Sequence, residues 1–233
     1  MTAECFSLTT MNGRERNSGP SSRSAKPLPA GSLFKGVKYD VEPYCTGEWK
    51  RGGKARETVI RDYLVFLRQA RSLLLEEAPG LWLAADIPYW WDKDEFSLEF
   101  EGETKKLSEH VQDLTDFIVI MSYWRSTQKV LDSVERERTY SERIRKFVHP
   151  ALETIRLEKE PEATFWGVPA EEFWKAVNQL QERATKDPAL GGVRIHNYRG
   201  LREKFGYRPV ESRGAAKALP PSVGDPDLKD LRP

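Results

Sequence analysis

The sequence predicts an α/β fold of the (β/α) TIM-barrel type, on three observations. Short apolar runs rich in β-branched and aromatic residues alternate with longer amphipathic stretches. The runs recur at roughly 30 to 45 residues, the size of a β-α unit with its loops. Polar and aromatic residues gather where the runs end, and a barrel builds its active site at the C-terminal ends of its strands.

The first run is Gly36 to Val41, followed by Asp40, Glu42 and Tyr44 at its end. Glu57 to Glu77 then carries Val59, Ile60, Tyr63, Leu64, Phe66 and Leu67 at helical spacing and stops at Pro79-Gly80. The second run, Leu81 to Pro88, ends in Asp86, Tyr89, Trp90 and Trp91. A helical stretch over Leu107 to Leu114 leads to the third run, Phe117 to Tyr123, whose unbroken FIVIM reads as a strand covered on both faces. Thr127 to Val148 is the next predicted helix, Ala151 to Leu157 the fourth strand with Glu153, and Pro169 to Thr185 a helix with proline in its first turn. Gly192 to Tyr198 is the fifth strand, carrying His196 and Tyr198. Alternation of this kind implies parallel strands joined by helical crossovers. No GxGxxG or GxxxxGK[ST] follows the first strand, which removes the usual support for a nucleotide-binding open sheet.

These units occupy residues 34–207, a partial barrel domain. Residues 1–33 and 208–233 are rich in Ser, Gly, Pro and charge without hydrophobic period, and are expected to be a disordered arm and tail. The 233 residues are 39% apolar with a net charge of +1, so neither nucleic acid nor an anionic membrane is indicated as a partner. No apolar run reaches membrane-spanning length and the N-terminus lacks the pattern of a secretory signal, so the chain as written reads as cytoplasmic; a different true N-terminus would allow secretion. Cys5 and Cys45 make no disulfide framework, and His110, His149 and His196 lie too far apart for a metal motif. No metal or cofactor is expected.

Within the first strand, residues at i and i+2 share a face roughly 6 to 7 Å apart, which would bring Asp40 and Glu42 together in the barrel mouth. Two carboxylates there repel, and at least one is expected to have a raised pKa. That is the pairing an acid needs to protonate a glycosidic oxygen. The plain alternative is a strand end whose acids pair with Lys35, Lys38 or Arg51. Tyr63, Phe66 and Leu67 read as core, Trp90 and Trp91 equally as a cap on the core, and VERERTYSERIRK as an exposed helix face with i,i+4 ion pairs. Asp113 and Asp116 precede a strand and belong to the stability face.

FKGVKYDVEPY resembles the fourth-strand signature of the family 18 glycoside hydrolases, the chitinase-like clan, and is most similar to relatives with a D-[IV]-E-P-[YH] variant. WLAADIPYWW resembles a fifth strand, DFIVIMSYW the sixth with its M-x-Y, and GGVRIHNYRGL an eighth. The resemblance implies Glu42 as general acid, Asp40 as the residue that orients the substrate, and Tyr123 as the tyrosine that stabilises the reacting group. Tyr44, Asp86, Trp90, Glu153, His196 and Tyr198 would bind an oligosaccharide or polysaccharide. Lys35 and Lys38 stand where the chitinase signature has acids; Lys38 would hold Asp40 ionised. The resemblance also implies an incomplete barrel of about five β-α units, from a truncated product or one that self-associates through open edges. The competing reading is a non-catalytic carbohydrate-binding or inhibitor protein on the same scaffold, or an inert fragment.

Overall fold

The computed structural model describes residues 35–206; the arm and tail expected at the two ends, with Cys5, lie outside the described residues. In chain order the elements are β1 (Gly36–Tyr39), α1 (Gly47–Arg51), α2 (Gly53–Glu77), β2 (Trp82–Pro88), β3 (Ser97–Phe100), β4 (Glu103–Lys106), α3 (Leu107–Leu114), β5 (Phe117–Met121), α4 (Thr127–Arg143), β6 (Phe147–Glu153), α5 (Ala170–Ala184), β7 (Arg194–His196) and α6 (Tyr198–Phe205). Five strands pair in parallel in the order β1-β2-β5-β6-β7, a sheet that curls into a half-barrel.

The order argues against a doubly wound sheet, one of the two architectures that alternating strands and helices leave open. Each new strand is added on the same side of the last, so the sheet has no point where the order reverses, as a doubly wound sheet would. Side-chain parity agrees. Ala85, Ile87, Ile118, Ile120 and Val148 share a core with Ile60, Tyr63, Leu64 and Leu67 of α2, Leu107 and Val111 of α3, and Val134 of α4. Leu152, of the same parity as Val148, packs on Phe173, Ala176 and Leu180 of α5. All four crossover helices therefore cover one face. The opposite face carries Ala84, Phe117, Val119, Phe147 and Ala151, with Trp82 and Tyr123 packed against them.

Boundaries differ from the sequence reading where local geometry intervenes. The fourth strand begins at Phe147, because α4 stops at Arg143 and the chain reverses through Arg145 at φ 58°. β1 is an edge strand, half-buried rather than buried, and ends at Tyr39. Asp40 and Glu42 thus follow the strand, and Glu42 precedes a 3-10 turn over Pro43–Cys45. The helical stretch VERERTYSERIRK is exposed or half-buried except at Val134, Glu137, Tyr140 and Ser141, which are buried. The β3-β4 hairpin was not anticipated. Its two-residue turn, Glu101-Gly102, has φ of 53° and 84°, the positive pair a type I′ turn demands and Gly102 supplies without strain. Leu98 and Phe100 alternate inward from it onto the helix-side core.

At the strand N-termini, Asp116 accepts from the Arg71 guanidinium at 2.6 Å and from the Leu83 backbone N–H at 2.7 Å. Asp113 takes the Tyr140 hydroxyl at 2.8 Å and the Lys105 ammonium at 2.7 Å. These acids tie helices to strands on the face away from the site, as their position predicts.

Candidate functional site

Parallel register sets which side chains share a face across the sheet. Paired residues of parallel strands project to the same face, so Lys38 (opposite Ala84), Asp86 (opposite Val119) and Glu153 (opposite His196) all lie on the face without crossover helices. Of these, Asp86, Glu153 and His196 stand near the C-terminal ends of β2, β6 and β7, and Asp40, Glu42, Tyr44 and Tyr123 follow the ends of β1 and β5.

On the β1 side, the Tyr44 hydroxyl donates to Glu42 Oε1, and Cys45 Sγ lies 3.5 Å from Oε2. The 3-10 turn that Pro43 starts brings both residues back onto the carboxylate, fixing its direction. Burial and this bond push the Tyr44 hydroxyl's pKa well up, so it serves as a donor. Asp40 is exposed as a residue, yet burial is the largest influence on its carboxyl and Glu42 the next, and together they raise its pKa. Lys38 and His196 pull it down and are outweighed. The Lys38 ammonium makes its direct contact with Asp86, at 2.6 Å, and acts on Asp40 only through its charge. Asp86 is only 8% exposed, and its pKa is raised by burial, against the pull of Lys38. Its Oδ1 is buried and has no hydrogen-bond partner among the described residues.

On the β6-β7 side, Glu153 is almost fully buried and saturated. Oε1 accepts from the backbone N–H of Thr154 at 2.7 Å and of Ile155 at 2.9 Å, while Oε2 meets His196 Nδ1 at 2.8 Å. The hydrogen bond to Glu153 is the largest cause raising the His196 pKa, with the charges of Asp40 and Asp86 adding to it. Tyr123 stacks on the His196 ring with centroids 6.1 Å apart, and burial together with the Glu153, Asp86, Asp40 and Glu42 charges raises its hydroxyl's pKa. Electrostatic coupling thus joins Asp40, Glu42, Asp86, Tyr123, Glu153 and His196 into one cluster drawn from five strand ends.

Two expected binding residues are placed differently. Trp90 packs edge-on against Tyr44 at 5.3 Å and lies among Trp49, Trp91 and Phe96, so its ring is held by an aromatic core cluster. Tyr198 opens α6 beyond β7 and is 52% exposed. Sequence reasoning passed over His149, in register with Asp86, and Arg194, paired with Ala151, on the same face. His149 Nδ1 lies 2.5 Å from the Gly192 carbonyl, which can only accept, so Nδ1 carries the proton and Nε2 accepts from Arg194 at 3.0 Å. Burial and Arg194 push its pKa down to about 4, keeping the ring neutral. The signal was present in the even spacing of His149, Ala151 and Glu153.

Among the described residues no group of His, Cys, Asp and Glu is arranged to hold a metal ion, and no helix is long and apolar enough to cross a membrane. Compared with known proteins, the chain matches no family model, no curated protein and no solved structure.

Proposed function

We propose that this half-barrel is of the (β/α) TIM-barrel type and that its strand-end cluster binds a carbohydrate and cleaves a glycosidic bond, with Glu42 as general acid and Asp40 beside it orienting the substrate. The observation that carries the reading is the convergence of four carboxylates, Tyr123 and His196 at the C-terminal ends of parallel strands. A buried carboxylate oxygen without a donor, Asp86 Oδ1, adds to it, since a sugar hydroxyl is a donor that needs no charge. Glu42 is aimed by Tyr44 and Cys45, Asp40 is biased by burial toward the protonated form, and Glu153 with His196 closes the opposite wall.

The Lys38–Asp86 ion pair favours a second reading, a carbohydrate-binding protein without hydrolysis, because it places a cation where the chitinase-like signature has an acid. Kinetics on aryl glycosides, paired with oligosaccharide binding, separate the two. Hydrolysis that falls by about 100-fold or more in Glu42→Gln, with binding retained, is the result expected of a lost general acid. Binding by the wild type with no hydrolysis of any aryl glycoside would replace the first reading by the second.

A further inference from the structure

Beside the cluster lies a cavity of about 470 Å³, walled by the segments that leave β5 and β6. Arg125 enters it two residues after Tyr123, and Arg156 three residues after Glu153; Leu157, Pro161, Trp166 and the exposed Glu158 also line it. The wall is tied to the cluster itself, since Thr164 bridges to Glu153 and its hydroxyl donates to the Ile155 carbonyl at 2.5 Å.

Arg125 is the informative residue. Its Nε donates to the Thr164 carbonyl at 2.7 Å and its Nη2 to the Pro161 carbonyl, so the guanidinium is fixed by backbone. Among the described residues it has no carboxylate partner. A guanidinium carries five N–H donors, so two such bonds leave others to point elsewhere. Arg156 meets Glu158 only at 3.8 Å, with both side chains mostly exposed, a pairing too solvated to neutralise it. The half-buried Trp166 indole and Leu157 supply an apolar surface beside the two charges. A fixed planar fork next to a flat apolar face suits a ring that bears a planar anion, since guanidinium and carboxylate match in two-point geometry.

We propose that this cavity is a subsite for a carboxylate-bearing sugar, making the substrate class uronic-acid-containing oligosaccharides, with the acidic residue seated next to the bond presented to Glu42. This rests on the carbohydrate reading above. Two cations line the cavity, so binding of an anion there is salt-sensitive.

The test titrates the full chain calorimetrically with glucuronyl-β-1,4-glucose, with cellobiose and with glucose 6-sulfate, for wild type and Arg156→Gln. Arg125→Gln is added as a second variant, since Arg125 also holds its loop. The expected result is affinity for the glucuronyl disaccharide about tenfold above that for cellobiose, falling to the cellobiose level in Arg156→Gln and at high salt. Equal affinity for the two disaccharides, unaffected by either substitution, overturns the subsite. Tighter binding of the sulfate than of the uronate overturns its assignment to carboxylates. Hydrolysis of the glucuronyl disaccharide and of glucuronyl and neutral aryl glycosides, measured in the same proteins, keeps the readings apart: its absence on all of them with acid-selective binding intact removes the hydrolase and leaves the subsite. Its presence without acid selectivity does the reverse.

Discussion

Glu153 illustrates how a single carboxylate can be placed for positioning and not for proton donation. Both of its oxygens are committed, to two backbone N–H groups and to His196, so it aims the imidazole and leaves the ring's other nitrogen for the site. The linkage has a definite sign. A histidine whose folded pKa is raised above its usual 6.5 binds its proton more tightly when folded, so the stability it contributes is complete below about pH 6.5 and is lost as pH rises through the raised value. Glu153→Gln keeps an oxygen for the backbone donors but turns an amide N–H toward Nδ1, which favours the neutral ring. The His196 titration followed by NMR is then expected to move from above 6.5 in the wild type to 6.5 or below in the variant. An unchanged midpoint would show that Glu153 does not control this ring. Lys38 and Asp86 form the corresponding pair across β1 and β2, and here the ammonium answers one carboxylate oxygen while the other has no partner among the described residues.

Elements are held in place by contacts far from this cluster. Lys146, just before β6, donates to the carbonyls of Gln112 at 2.7 Å, Asp113 at 3.1 Å and Thr115 at 2.6 Å, closing the end of α3 with a cation where the helix leaves its carbonyls unpaired. Lys146→Met keeps the aliphatic stem and removes those donors, and is expected to cost about 2 kcal/mol, read as a melting temperature lower by roughly 4–8 °C. At Gly191 a Cβ would overlap the His149 ring, so Gly191→Ala must displace either the imidazole or the backbone. A loss of about 1–3 kcal/mol in chemical denaturation is expected, with the His149–Arg194 bond broken. Periodicity made the long helices and the buried strands legible: α3 falls on the predicted residues, and α2 and α5 within a few. What the sequence hid was set by tertiary contact. β1 ends at Tyr39, so Asp40 and Glu42 follow the strand instead of alternating along it, and the turn at Pro43 folds Tyr44 and Cys45 back onto Glu42; the β3-β4 hairpin rests on a Glu-Gly turn too short to stand out among charged neighbours. The site residues were found as strand-end polar groups; Arg125, Arg156 and His149 were missed because their neighbours exist only once the strands lie side by side.

At the scale of the whole molecule, one face of the half-barrel is sealed by helices and the other is polar at its upper rim, so the helix side must bury nearly everything it carries. Glu137 is the exception that tests this. It lies on α4 against the core at 1% exposure beside Ser108, and neither carboxyl oxygen has a hydrogen bond of good geometry among the described residues. Burial, with the nearby Asp92 charge, pushes its pKa from 4.5 to about 8. The folded chain therefore holds a proton at Glu137 that the unfolded chain has released above about pH 4.5. Stability from this residue is complete below that pH and falls as pH rises toward 8, by up to roughly 1.4 kcal/mol per pH unit. Acid-stable folding with a decline from pH 5 to 8 is the expected profile for this contribution, opposite to that of a salt-bridged carboxylate. Glu137→Gln stays neutral at every pH and is expected to flatten the slope, melting near the wild type at pH 5 and clearly above it at pH 8. If scanning calorimetry gives parallel curves for the two proteins across that range, Glu137 is ionised in the folded state, and solvent or a counter-charge reaches the helix side of the sheet.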